Sequence, residues 1–153
     1  MSEKSRLPFA KSFRDLIVYQ RQRELARQIF EVSKSFQNEE RYSLTDQIRR
    51  ASRSIGAQIA EAWAKRDYER HFVSKLSDAD ADQQETQHWI ETASDCDYIN
   101  GEQRAALLEF CEEIGRMLNS METRAVDFCP ASTRVREDEY FEADRTSVAS
   151  EEG

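Results

Sequence analysis

The sequence predicts an all-α protein, an up-down-up-down four-helix bundle followed by a disordered acidic C-terminal tail, and three observations carry that expectation. The 153 residues include only 4 Gly and 2 Pro, while Glu, Gln, Arg, Ala and Leu, all good helix formers, dominate. Four stretches place apolar side chains at steps of three or four, the period of one helix face. The breaks between them are short, which makes consecutive helices antiparallel neighbours. This length suits one domain with a single core. Residues 1–12 are expected to form a disordered leader, 13–128 the bundle and 129–153 the tail.

Helix one is predicted from Phe13 to Phe36, with Phe13, Leu16, Ile17, Leu25, Ile29, Val32 and Phe36 on its periodic face. Residues 37–42 break the pattern and read as a loop. Ser43, with Asp46 three residues on, has the spacing of a capping box that opens helix two. Helix two ends near Trp63 to Arg66. Helix three starts around Tyr68 and aligns Phe72, Leu76, Ala79, Gln83, Thr86, Ile90 and Ala93, a face that turns polar halfway along. Ile99-Asn100-Gly101-Glu102 reads as a turn in which Gly101 suits a positive φ and Asn100 caps helix four, with Gln103 at the reciprocal position. Helix four shows Leu107, Phe110, Cys111, Ile114, Met117, Leu118 and Met121, and Pro130 stops it. After Cys129 the chain is polar and acidic without sustained periodicity, as a disordered segment would be.

Helix two carries two stripes. Leu44, Ile48, Ala51, Ile55, Ile59 and Ala62 form the apolar one; Gln47, Arg50, Ser54, Gln58 and Glu61 recur at the same period. Three residues rotate a helix by about 300°, so the polar stripe lies roughly 60° from the apolar one, beside the core. Half-buried charges must find partners. Such a stripe orients helices, lines an oligomer contact or binds something polar. Arg50 is expected to be mostly buried and paired with Glu85 or Glu61, since Asp78, Asp82, Glu85 and Thr92 form a polar, mainly acidic stripe on helix three. Gly56, among Ala51, Ala57 and Ala60, thins helix two for close packing, either inside the protomer or against another one.

Charge divides along the chain. Residues 1–66 hold 14 Lys/Arg against 8 Asp/Glu, and residues 67–153 hold 8 against 22, for a net charge of −8. A basic half that packs on an acidic half leaves no obvious positive field, which disfavours nucleic acid. No apolar run approaches the roughly 20 residues of a membrane span, and no signal-peptide pattern follows the first residues, so the protein is read as cytoplasmic without a membrane partner. Cys96, Cys111 and Cys129 are odd in number and lack a Cys-x-x-Cys pair, against a disulfide framework or zinc cluster. Glu85-Thr86-Gln87-His88 has the Glu-x-x-His spacing of di-metal carboxylate bundles, but no second copy exists. His71 and His88 are too far apart to share a site, and no Gly-rich phosphate loop occurs. No enzyme and no cofactor are expected.

The run from Phe36 to Ala62, FQNEERYSLTDQIRRASRSIGAQIAEA, resembles the signature F-P-x-x-E-x-Y-x-L-T-x-Q-x-R-R-A-x-x-S-I-x-x-N-I-A-E-G. That signature marks the small proteins encoded in intervening sequences of bacterial large-subunit ribosomal RNA genes, the S23-like family. Phe13 to Tyr19, Leu76 with Ala79 and Glu85, and Tyr98-Ile99 are similar to it as well, so the likeness spans about residues 13–125. The resemblance implies an up-down bundle that assembles as a homopentamer. It also implies kinship with accessory proteins of diversity-generating retroelements, which bind nucleic acid and a reverse transcriptase. Gln47, Arg50, Ser54 and Glu61 fall on family-typical sites; Gln58 replaces the usual Asn, Ala62 and Ala81 the usual Gly, and Gln37 the usual Pro. A pI near 4.9 departs from a nucleic-acid role, because phosphate contacts need Lys and Arg. The expected function is therefore a non-enzymatic, homo-oligomeric scaffold or partner-binding module whose partner is unknown, a protein being one candidate; the alternative is a nucleic-acid-binding accessory that uses basic helices one and two.

Overall fold

A helix with one apolar stripe is stable only when that stripe is covered, and here four stripes cover one another. The computed structural model describes residues 10–130. Its helices are α1 (Ile17–Ser33), α2 (Asp46–Ala64), α3 (Glu69–Asp95) and α4 (Gly101–Thr123). Each packs on its neighbours in chain order, and α1 closes the ring against α4. Cross-helix contacts fix the directions. The end of α1 meets the start of α2 through Arg49 and Ser33, 2.8 Å apart. The end of α2 meets the start of α3 through Glu61 and Lys75. The end of α3 meets the start of α4 through Glu91 and Arg104. This is the up-down-up-down bundle that the spacing predicted.

Leu25, Ile29, Ile48, Ile55, Phe72, Leu76, Ile90, Ile114 and Leu118 are fully enclosed at the centre. Each such side chain stabilises the fold by about 1.5–3 kcal/mol relative to exposure. The apolar stripe of α2 is buried at all six predicted positions, and α3 buries all seven from Phe72 to Ala93. Gln83 and Thr86 enter the core within that row. Thr86 resolves its polarity by donating to the Asp82 carbonyl (2.8 Å), and Gln83 by donating to Asp80 (2.9 Å).

The chain departs from the predicted boundaries at four places. Helix one is broken: Ser12 and Asp15 form a capping box around a single 3-10 turn, Phe13–Asp15, after which Leu16 is extended and α1 restarts. The break rotates the register, so Ile17 is 49% exposed while Val18, Gln22 and Ser33 are buried. Ser43 and Asp46 make no capping box; a π-turn, Arg41–Thr45, winds straight into α2. The positive φ falls on Asp97 (60°) and not on Gly101. Asp97 is the left-handed residue of a Schellman cap: its N–H donates to the Ser94 carbonyl and that of Tyr98 to Ala93, both at 3.0 Å. Asn100 and Gln103 form the predicted reciprocal cap. Finally, α4 stops at Thr123, well before Pro130, and a 3-10 turn, Ala125–Asp127, folds Phe128 onto Phe72 at 5.8 Å. Cys129 is buried with it. The rest of the expected tail and of the leader lies outside the described residues.

Two glycines let buried glutamines cross between helices. The Gln22 amide donates to the Ser52 carbonyl (3.0 Å) and lies where a Cβ on Gly56 would sit, 2.4 Å from Oε1. Gln83 occupies the same position over Gly115, 2.8 Å from where its Cβ would be. Gly56 is thus explained by close approach of α1 inside the protomer.

Candidate functional site

The polar stripe of α2 lies along the seam with α3. Gln47, Ser54 and Gln58 are half-buried, whereas Arg50 and Glu61 are exposed. Lys75 of α3 joins the stripe together by donating to Glu61 (2.9 Å) and Gln58 (3.4 Å), with Asp78 at 3.8 Å. The hydrogen bond between Lys75 and Glu61 lowers the Glu61 pKa and raises that of the ammonium. These groups stay solvated, so water screens the pair and it contributes little to stability.

Two turns further along α3, Asp82 reaches the same seam. Burial pushes its carboxyl above the ordinary carboxylate range, Glu85 repels it, and a hydrogen bond with Gln58 offsets part of the rise. Its Oδ2 is enclosed with no hydrogen-bond partner among the described residues. Another two turns on, Trp89 Nε1 is enclosed without a partner as well. Lys75, Asp82 and Trp89 recur every seven residues and so form one row facing α2.

Arg50 contradicts the expectation. It is exposed and has no carboxylate partner among the described residues; Glu61 pairs with Lys75 and Glu85 points to solvent. The physical reason is position: Arg50 lies far enough round the helix to keep its guanidinium in water, which avoids the desolvation of a buried ion pair. The two charged halves also meet less than expected. Arg21 pairs with Glu113 at 3.4 Å, but Arg14, Arg23, Arg49, Arg50 and Arg53 have no carboxylate partner among the described residues. Glu85 and His88 are both exposed, His88 lying 4.6 Å from the Trp89 ring, and the described residues contain no group of three or more His, Cys, Asp or Glu that could hold a metal. No helix among them is long and apolar enough to cross a membrane. Sequence reasoning missed Lys75 and Trp89. Their seven-residue spacing from Asp82 was the available signal, but it marks a shared face without showing what the face meets.

The fold and seam define a small helical bundle with a partly enclosed polar row beside its core. The chain belongs to the 23S rRNA-intervening sequence protein family, whose model matches residues 14–120. Among solved structures it is similar to a protein of unknown function from the S23 ribosomal protein family of Bacteroides thetaiotaomicron. Identity is 30%, the alignment covers 70% of this chain and 96% of that one, and the TM-score is 0.64. A comparison with functionally curated proteins yields no match.

Proposed function

We propose that the protein is a non-enzymatic cytoplasmic scaffold that works as a homo-oligomer, a pentamer by the family resemblance, and presents its outer surface to a protein partner. The observation that carries this reading is the unfinished pairing at the α2–α3 seam. Among the described residues Asp82 Oδ2 and Trp89 Nε1 of α3 are enclosed without hydrogen-bond partners, and Arg50 on the polar stripe of α2 is exposed without a carboxylate. An enclosed polar atom left unpaired costs about 1–3 kcal/mol, and polar side chains from an adjacent copy would remove that cost. Light scattering on the purified chain at micromolar concentration tests the reading. The expected mass is five times 17.9 kDa, about 90 kDa; a mass near that of one protomer overturns it.

A second reading is favoured by Arg23, Arg49, Arg50 and Arg53 of α1 and α2, which have no carboxylate partner among the described residues and can contact phosphates. A nucleic-acid accessory of this kind binds structured RNA with an affinity that falls steeply as salt rises. Absence of RNA binding at about 50 mM salt removes it.

A further inference from the structure

The outer groove between α1 and α2 is lined for an acidic guest. It encloses about 510 Å³ over a floor of small residues, Gly56, Ala57 and Ala60. Tyr19 and Phe30 both line it, and Phe30 is one of the few large apolar side chains left exposed among the described residues. Two exposed guanidinium groups edge the groove without a carboxylate partner among those residues. Arg23 donates to the Tyr19 hydroxyl (3.3 Å), and Arg53 lies 5.9 Å from the Phe30 ring. Arg27, the third arginine of the lining, is paired with Glu24. Arg23 and Phe30 stand seven residues apart on α1, about 10 Å along its axis.

The exposed side of α3 carries the complementary pattern. Asp78, Ala81 and Glu85 follow one another at steps of three and four, which sets them on one line of the helix surface, and all three are exposed. The two carboxylates are again seven residues apart, about 10 Å, with only a methyl group between them. Glu85 makes no ion pair among the described residues. Asp78 has a long contact, 3.8 Å, to a Lys75 that is already committed to Glu61 at 2.9 Å.

Groove and ridge are both open in one protomer, so they can match only between copies. The contact is then head to tail, the kind that closes into a ring. Small side chains on both sides, Ala81 against Gly56, Ala57 and Ala60, let the ridge of one helix enter the groove between two others. A nucleic-acid strand fits this lining less well: two unmatched guanidinium groups over an apolar floor supply few phosphate contacts, and a net charge of −8 opposes a polyanion.

We infer that the α3 ridge of Asp78, Ala81 and Glu85 in one copy seats in the α1–α2 groove of the next, its carboxylates meeting Arg23 and Arg53. The inference rests on the self-assembly proposed above and supplies the surface that the α3 side of the seam meets.

The test compares the mass of the full chain, by light scattering over a concentration series, with that of Arg53→Glu, Glu85→Arg and the double variant. Both groups are exposed, and circular dichroism checks that each variant folds. Each single reversal sets like charges against each other across the contact, so the concentration at which the assembly dissociates should rise at least about tenfold. The double variant restores the pairing with opposite polarity and should recover the mass of the parent. An assembly that ignores the single reversals, or one that they weaken and the double variant does not restore, overturns the inference while leaving the oligomer in place. A parent with the mass of one protomer removes both, and RNA binding lost in its Arg53→Glu variant would assign the groove to phosphate instead. Should a reversal fail to fold, cysteines decide. Cys96 is exposed, so in a Cys96→Ser background Ala57→Cys together with Ala81→Cys should oxidise into disulfide-linked multiples of the protomer, whereas Ala57→Cys alone should not. Linked dimers from Ala57→Cys alone would put two grooves face to face, and no links from the pair would keep groove and ridge apart; either result overturns the inference.

Discussion

Replacing Gly56 with Ala should destabilise the bundle even though Ala is the better helix former. Exchanging a helical Gly for Ala favours the helix by about 1 kcal/mol. Against this, the new Cβ would lie 2.4 Å from Gln22 Oε1 and 2.7 Å from its Cδ. Gln22 is only 4% exposed and held to the Ser52 carbonyl, so moving its amide out into the groove it lines breaks that bond. Displacing it forfeits a buried hydrogen bond, about 1–3 kcal/mol if the amide is left unpaired, and adds overpacking of similar size. The net loss is about 1–5 kcal/mol, at some 2–4 °C in Tm per kcal/mol for a chain of 153 residues. Urea unfolding followed by circular dichroism, at one protomer concentration so that assembly does not shift the midpoint, measures it. The same substitution in a Gln22→Ala background should become stabilising by up to about 1 kcal/mol, because the clash is gone and the helix preference remains. A Gly56→Ala protein as stable as the parent, or the same sign in both backgrounds, refutes the argument from close approach.

Arg50→Ala should change protomer stability by no more than about 0.5 kcal/mol, since it removes an exposed group; a loss of several kcal/mol at constant oligomeric mass would mean that the charge is buried after all. Burial, with added repulsion from Asp80, raises the Glu122 pKa above its ordinary value. The folded state therefore binds its proton more tightly than the unfolded chain, and the resulting penalty is complete above the folded pKa and vanishes as pH falls below the unfolded value of about 4.5. Glu122→Gln should accordingly stabilise at pH 7 and do nothing near pH 4, and urea midpoints at the two pH values check the sign. Asp97→Gly should stabilise by about 0.5–1 kcal/mol, because the Schellman cap holds Asp97 at φ 60°; unchanged thermal stability refutes this. Cys96 is exposed, while burial pushes the Cys111 thiol up to about 12. A thiol-specific dye should label Cys96 rapidly in the folded protein and Cys111 only on unfolding.

The sequence by itself determined the class of fold. Its helical period was read correctly wherever one face is buried continuously, as along Leu44 to Ala62 and Phe72 to Ala93, because covering that stripe dominates the free energy of a helix. The Asn100–Gln103 cap was legible for a related reason: reciprocal capping is satisfied within four residues and needs no distant partner. Tertiary structure decided what depends on rotation and on neighbours. The extended Leu16 turned α1 so that Val18 and Gln22 replaced Ile17 in the core, and the strand of sequence around it showed only apolar residues in a row. Gly56 and Gly115 were recognisable as small, but that each accommodates a glutamine from the adjacent helix follows only from which helices touch. The polar stripe was found from its period, while its partners were not. Lys75 claimed Glu61, Asp82 met Gln58, and Arg50 stayed in water, because a side chain's spacing defines its face to within tens of degrees, whereas an ion pair is decided within about 4 Å.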